Sequence, residues 1–393
     1  MIVGSSGVSM ENKNLMKKIL RFFWKDKVFL IAFTLAVVSC FFIPPNPGYL
    51  GYVAQNYRVL VIMFSLMTAV AGLYEANFFS FVAINLVSKF YSIKWIALVI
   101  VIATFVFGMW VTNDAVLLTL VPFTLFVTKQ TGQQKHALLI VILQTIAANM
   151  GSALTPMGDP QNIYLYSFYN IPFATFIRSM APITITGFIL LVATTLLLIP
   201  NTPCHPITVS PKVAWKRLAL YGVVFTNALL CVLRVYEGRE YIALIVTLVL
   251  ILPFASHLFK KVDYTLLLTF FSFFIFTGNM SQLTQVKDFV ATLLNTDASV
   301  YFTGLITSQF ISNVPASILL STFTDAQFWR PLLQGVNVGS MGTVLGSLAS
   351  LITLKFVLKD FLNQGKTYLK IYTVICVVYI VVITGVLFLV NAY

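Results

Sequence analysis

Two acidic residues, Asp114 and Asp159, stand inside long apolar stretches of the sequence. At the centre of a bilayer such a group costs roughly 2.5–3.5 kcal/mol on insertion scales. A buried acid can take up a proton or hold a metal cation in turn, so both are candidates for proton or cation coupling. Asn113 precedes the first. The second lies in N-M-G-S-A-L-T-P-M-G-D-P-Q-N, residues 149–162. Amide oxygens and unwound backbone carbonyls suit Na⁺, and free N–H groups at the start of a half-helix suit an anion. The plain alternative for Asp159 is a structural N-cap of a helix beginning near Gln161.

The second window has a partner. Residues 337–350 read N-V-G-S-M-G-T-V-L-G-S-L-A-S, so Asn149, Gly151, Ser152, Thr155 and Gly158 recur 188 positions later as Asn337, Gly339, Ser340, Thr343 and Gly346. Thr112-Asn113 recurs 200 positions later as Ser312-Asn313, and Phe123-Thr124 as Phe323-Thr324. Upstream, Asn56-Tyr57 resembles Asp263-Tyr264, 207 positions on. The acids are not repeated: Val314 and Ser347 stand where Asp114 and Asp159 stand. Glycine-broken helices inside a bilayer leave backbone groups unpaired, at several kcal/mol each, unless protein, ions or water satisfy them. The glycines permit turning and close approach to a ligand; the alternative for each is tight helix packing.

These residues need a membrane frame to hold them, and composition supplies it. The 393 residues are 59% hydrophobic and only 9% charged, too few charges to cover a water-facing surface of this size. Apolar runs of about 17–25 residues have the length of spanning helices. Spans are expected near 28–44, 57–75, 173–199, 217–234, 240–256, 262–280 and 370–391. Broken spans fall at 136–171 and 331–360. Apolar stretches 93–130 and 298–324 interrupt at the polar tips and read as re-entrant hairpins, or as pairs of full spans. Residues 76–92 and 281–297 read as interfacial helices. The Pro- and Lys-containing stretch 200–216 is a linker between membrane repeat 1, 28–199, and membrane repeat 2, 217–393.

The net charge of +13 is not a nucleic-acid signal. With the N-terminus inside, nineteen of the 25 Lys and Arg fall in inside loops. That is the positive-inside bias, with nine spans plus two hairpins and the C-terminus outside. An odd number of crossings then separates the copies, so the second repeat is inverted, as in secondary transporters with a mid-membrane site. Residues 1–27 form an N-terminal cytoplasmic or interfacial segment. Within it, 14–24 read as a basic amphipathic surface helix or a polar extension of the first span. Residues 1–9 read as unstructured, Met10 is an alternative start, and no cleavable signal is apparent. Four scattered cysteines and three histidines show neither metal spacing nor a disulfide framework.

The tip T-N-D-A, the segment G-S-A-L-T-P-M-G-D-P-Q-N and the second tip S-N-V-P resemble the ion transporter superfamily over residues 28–391. That superfamily includes divalent anion:sodium symporters, ArsB arsenite permeases and NhaD antiporters. The G-D-P-x-N form is most similar to ArsB-like and YbiR-type inner-membrane permeases. The resemblance implies a homodimer in which a scaffold holds a mobile transport domain that moves as an elevator. It implies a cation or substrate site at Asn113, Asn149 and the backbone of Gly151, and a second at Asn313, Asn337, Val338 and Gly339. Candidate substrate contacts are Thr112, Asn113, Asp114, Ser152, Thr155, Asp159, Asn162, Ser312, Asn313, Ser340 and Thr343. In the symporters each tip is Ser-Asn-Thr; here the third positions are Asp114 and Val314.

The expected function is inner-membrane transport of a small anion or oxyanion, carboxylate-like or arsenite-like, coupled to Na⁺ or H⁺, with no other cofactor. The alternative is a cation/proton antiporter using Asp114 and Asp159. No Arg or Lys sits near the motifs. An intramembrane enzyme lacks a paired nucleophile and base, and two broken, repeated segments favour alternating access over a channel.

Overall fold

The computed structural model describes residues 27–43, 48–205, 212–361 and 364–391. The basic stretch 14–24 and the middle of the linker lie outside them. The described residues are helical, with one isolated bridge between Ser92 and Pro203. In order, the helices are α1 (Lys27–Phe42), α2 (Gly48–Glu75), α3 (Phe78–Val87), α4 (Ile93–Trp110), α5 (Asn113–Gln130), α6 (Ala137–Ser152), α7 (Pro160–Phe168) and α8 (Phe173–Leu198). After the linker come α9 (Trp215–Val232), α10 (Tyr241–Ala255), α11 (Tyr264–Met280), α12 (Thr284–Leu293), α13 (Asp297–Ile311), α14 (Asn313–Ser321), α15 (Trp329–Val338), α16 (Leu348–Asp360) and α17 (Gly365–Asn391).

The elements recur in the same order. A long helix (α2, α11) leads to a short one (α3, α12), then a hairpin (α4–α5, α13–α14). A helix broken by a 3₁₀ turn follows (α6–α7, α15–α16), then a closing span (α8, α17). Among the described residues, five helices are long and apolar enough to cross a bilayer: Asn56–Glu75, Ile93–Trp110, Phe173–Leu198, Tyr241–Lys261 and Gly365–Asn391. The closing spans α8 and α17 turn Ile189, Leu197, Val381 and Leu389 outward. Such an apolar exterior suits lipid and would not stay dispersed in water. The hairpins differ in length. α4 and α5 have 18 residues each, whereas α14 has nine and measures about 13 Å, short of a hydrocarbon core of about 30 Å.

The hairpins pack on the broken helices through glycine. A Cβ on Gly151 would sit 2.0 Å from the Phe105 carbonyl oxygen, and one on Gly339 would sit 2.8 Å from that of Leu305. Phe105 and Leu305 are themselves 200 positions apart, so the same groove recurs. The glycine signal therefore reports close backbone packing first, as small residues do between membrane helices. Gly342 is different: its φ of +107° requires a residue without Cβ strain.

One end of the molecule collects the basic loops. Asn77 bonds the Lys212 carbonyl, Gln133 bonds that of Pro203, and Glu75 receives Arg217, His257 and Lys261. About 26 Å along α2, Arg58 meets Glu240 at the opposite end. Glu75 closes α2 and Lys261 precedes α11, so these two equivalent helices run antiparallel.

Candidate functional site

The site begins where α6 unwinds. Asp159 has extended backbone and Pro160 occupies the first position of α7, a fixed φ that starts a helix without a wasted donor. Asp159 stands in the N-cap position, but its side chain caps nothing. Instead Oδ2 accepts from Asn113 Nδ2 at 2.8 Å and from Ser152 Oγ at 3.4 Å. Gln161 and Asn313 also face this carboxylate, and Asn313 Nδ2 closes no hydrogen bond. Asp159 is 3% exposed. Ser347, with nearly the same backbone angles, does cap its helix: its Oγ accepts from Ala349 N at 3.2 Å. The cap explanation thus fits the second repeat and not the first.

The hairpin tips aim at this carboxylate from two sides. Asn113 opens α5, and its Oδ1 accepts from Asp114 N at 2.9 Å. That fixes Nδ2 towards Asp159 and towards Asn149 Oδ1, 3.0 Å away. Asn313 opens α14 and accepts from Ser312 Oγ at 3.3 Å. Ser312 has φ 72° and ψ 154°, a region otherwise reserved for glycine.

Both broken helices interlock by reciprocal contacts. Asn149 Nδ2 reaches Ser350 Oγ at 3.4 Å, and Asn337 Nδ2 reaches Asn162 Oδ1 at 2.7 Å. These pairs are equivalent under the 188-residue shift. Ser152 and Ser340 likewise donate to the carbonyls of Asn149 and Asn337, at 3.0 and 2.7 Å. Thr155 donates to the Met109 carbonyl, and Thr343 to that of Gln309, 200 positions on.

Several expected residues are therefore placed otherwise. The hydroxyls of Thr155 and Thr343 staple each break to its hairpin, and neither is directed at Asp159. Asn162 bonds the Ser152 carbonyl at 3.0 Å and serves as a joint. In the second break Gln309 Nε2 donates to the carbonyls of Gly339 and Met341, at 2.8 and 2.7 Å. The Gly339 carbonyl, expected to meet a cation, already has a donor. Val338 is buried in α15. Thr112 and Asp114 line a mainly apolar cavity of about 530 Å³ between α2, α5, α11 and α16, with Lys261 and Asp263 in its wall. Asp114 Oδ1 is shielded there without a hydrogen-bond partner.

Gln161, Gln309, Ser347 and Ser350 were not singled out as site residues. The repeat register could have found Ser350, which stands 188 positions after Asn162. Nothing in the local sequence marks Gln309, which replaces Met109. No ion pair reaches Asp114 or Asp159 among the described residues. Chemically, the cluster is an oxygen-rich, buried set of polar groups with one ionisable group at its centre, suited to a proton or a hard monovalent cation.

A family model described as citrate transporter matches residues 22–333. The chain belongs to the citrate transporter family. An uncharacterized transporter of Methanocaldococcus jannaschii is 30% identical over 329 residues, 84% of this chain and 88% of that relative. The inner membrane protein YbiR of Escherichia coli is 28% identical over 343 residues, 86% of this chain and 89% of its own. Citrate transporter family membership makes this chain a multi-pass membrane transporter of the ion transporter superfamily. The matched region includes Asn113, Asp159 and Asn313, and stops four residues before Asn337.

Proposed function

We propose that this chain is a secondary active transporter that carries a small carboxylate-like anion across the inner membrane, coupled to Na⁺ or H⁺. The observation that carries the reading is Asp159. It is buried, accepts from Asn113 at one hairpin tip and faces Asn313 at the other, and has no basic partner among the described residues. An anion beside it would be repelled unless the acid is protonated or cation-bound. Anion binding then depends on a cation, which is the thermodynamic content of symport. The family's description supports a carboxylate, and an arsenite-like oxyanion fits the same charge logic.

Inversion of the repeats is supported by the antiparallel course of α2 and α11. The reciprocal Asn149–Ser350 and Asn337–Asn162 pairs add support, because self-complementary contacts are what a two-fold axis produces. The gathering of Lys212, Arg217 and Lys261 at one end supports a cytoplasmic face there, with the N-terminus inside and the C-terminus outside. The hairpins and broken helices would move together as an elevator against α1, α2, α9, α10 and α11 in a homodimer.

Uptake of labelled citrate into proteoliposomes, under an imposed Na⁺ or pH gradient, tests the reading. Accumulation with one gradient and none without it is expected; no gradient-driven uptake of citrate, succinate or arsenite would overturn it. Asp114 favours a second reading, cation/proton antiport, because it presents an unpaired carboxylate beside the cavity that also holds Asp263. In that reading charge movement needs no anion.

A further inference from the structure

A second cavity, about 310 Å³, lies at the end of the molecule opposite Glu75, lined by Tyr57, Arg58, Ser167, Glu237 and Glu240 among others. Its chemistry differs from that of the Asp159 cluster. The Arg58 side chain is 13% exposed. Its Nε lies 3.7 Å from Glu240 Oε1, an ion pair too long for a hydrogen bond, and both Nε and Nη2 are buried without an acceptor. Ser167 Oγ, in the last turn of α7, is also buried without a partner. Glu240 is already served: Tyr57 donates to Oε2 at 2.6 Å and Gly238 N donates to Oε1 at 3.2 Å.

A buried guanidinium with unused donors is costly unless an acceptor completes it. Its planar fork matches an oxyanion such as a carboxylate or phosphate. The C-terminus of α7 would ordinarily repel an anion here. Arg234 removes that obstacle. It donates to the carbonyls of Tyr166 and Ile171 at 3.2 and 2.9 Å, and its guanidinium lies 4.6 Å from the Tyr166 ring centroid. Arg58 thus stands against Glu240, Arg234 covers carbonyls at the end of α7, and the space between Arg58 and Ser167 can accept one small oxyanion.

We propose that this cavity is a second anion site, in which Arg58 and Ser167 bind a small carboxylate or phosphate at the pole away from the Lys-rich loops. It goes beyond the transport reading and does not depend on it, because binding is read without transport. An occupant would bridge α2 to the end of α7, tying a long helix of the frame to one half of the broken helix.

The test is the melting temperature of purified full-length protein in detergent, titrated with citrate, inorganic phosphate or chloride at matched ionic strength. Citrate or phosphate, but not chloride, should raise it in the wild type and in Asn113→Ala. Whichever of the two acts identifies the source of the oxyanion. The half-saturating concentration should rise about tenfold or more in Arg58→Gln, and a few-fold in Ser167→Ala, as loss of charged and neutral hydrogen bonds predicts. Ser167→Ala removes one hydroxyl and keeps the test open if Arg58→Gln does not fold. The proposal is overturned if neither anion stabilises the wild type, if the effect vanishes in Asn113→Ala, or if it is unchanged in Ser167→Ala.

Discussion

Ser347 Oγ donates to Asn149 Oδ1 at 3.2 Å, across the two repeats, from the position that Asp159 holds in the first. The neutral residue of the pair is thus spent on joining the halves, while its acidic counterpart faces Asn113 and Asn313. The repeat is symmetric in scaffold and asymmetric in charge, and under the proposed symport the coupling chemistry lies in repeat 1.

Asp159→Asn should stop or uncouple transport while substrate binding partly survives, since an amide keeps the shape and loses the exchangeable charge. Solid-supported-membrane currents would check this beside Asp114→Asn. Wild-type currents and wild-type pH dependence in both variants would leave the acids with only a structural role.

Asn113→Ala removes the 2.8 Å donor to Asp159 and the 3.0 Å donor to Asn149. Hydrogen bonds to a charged group are worth about 1.5–3 kcal/mol, so uptake should fall tenfold or more. Asn313→Ala should do likewise from the other side. Uptake assays paired with gel filtration would separate lost activity from lost folding; normal uptake by either variant removes that amide from the site.

Ser312→Gly should stabilise the second tip by about 1 kcal/mol, because φ 72° with ψ 154° costs a side-chain-bearing residue and not glycine. Thermal melting reads the gain. If transport slows at the same time, the strain serves the tip's working geometry.

Gly151→Ala should be severely destabilising, by about 3 kcal/mol or more, since its Cβ would meet the Phe105 backbone. Gly222→Ala has nothing within 4 Å and should change stability by less than about 1 kcal/mol. Equal expression and equal melting of the two variants would contradict the packing described for α4 and α6.

The apolar helices, the breaks and the recurring order of elements were legible because helix length, glycine and paired polar windows each leave a local mark. Asn113 and Asp159 were legible as polar residues where lipid or protein should exclude them. Other roles depend on three-dimensional neighbours. Thr155 and Thr343 look like ligands in a motif, yet their hydroxyls are taken by carbonyls of α4 and α13. Gly151 resembles a ligand-approach glycine until Phe105 is seen against it. Gln309 lies in a helix arm, and only the fold brings its amide to the carbonyls of Gly339 and Met341.

The cross-repeat bonds also bear on how the chain is made. Asn149 finds Ser347 and Ser350, and Asn162 finds Asn337, about 175–200 residues later in synthesis. Until the second half enters the membrane, the first half holds these amides at depth without those partners, at a cost of order a kcal/mol or more for each unsatisfied group. A nascent first half is therefore an incomplete solute in lipid. Its buried polar residues favour capture of the second half over any stable life alone, so the two halves mature as one insertion product.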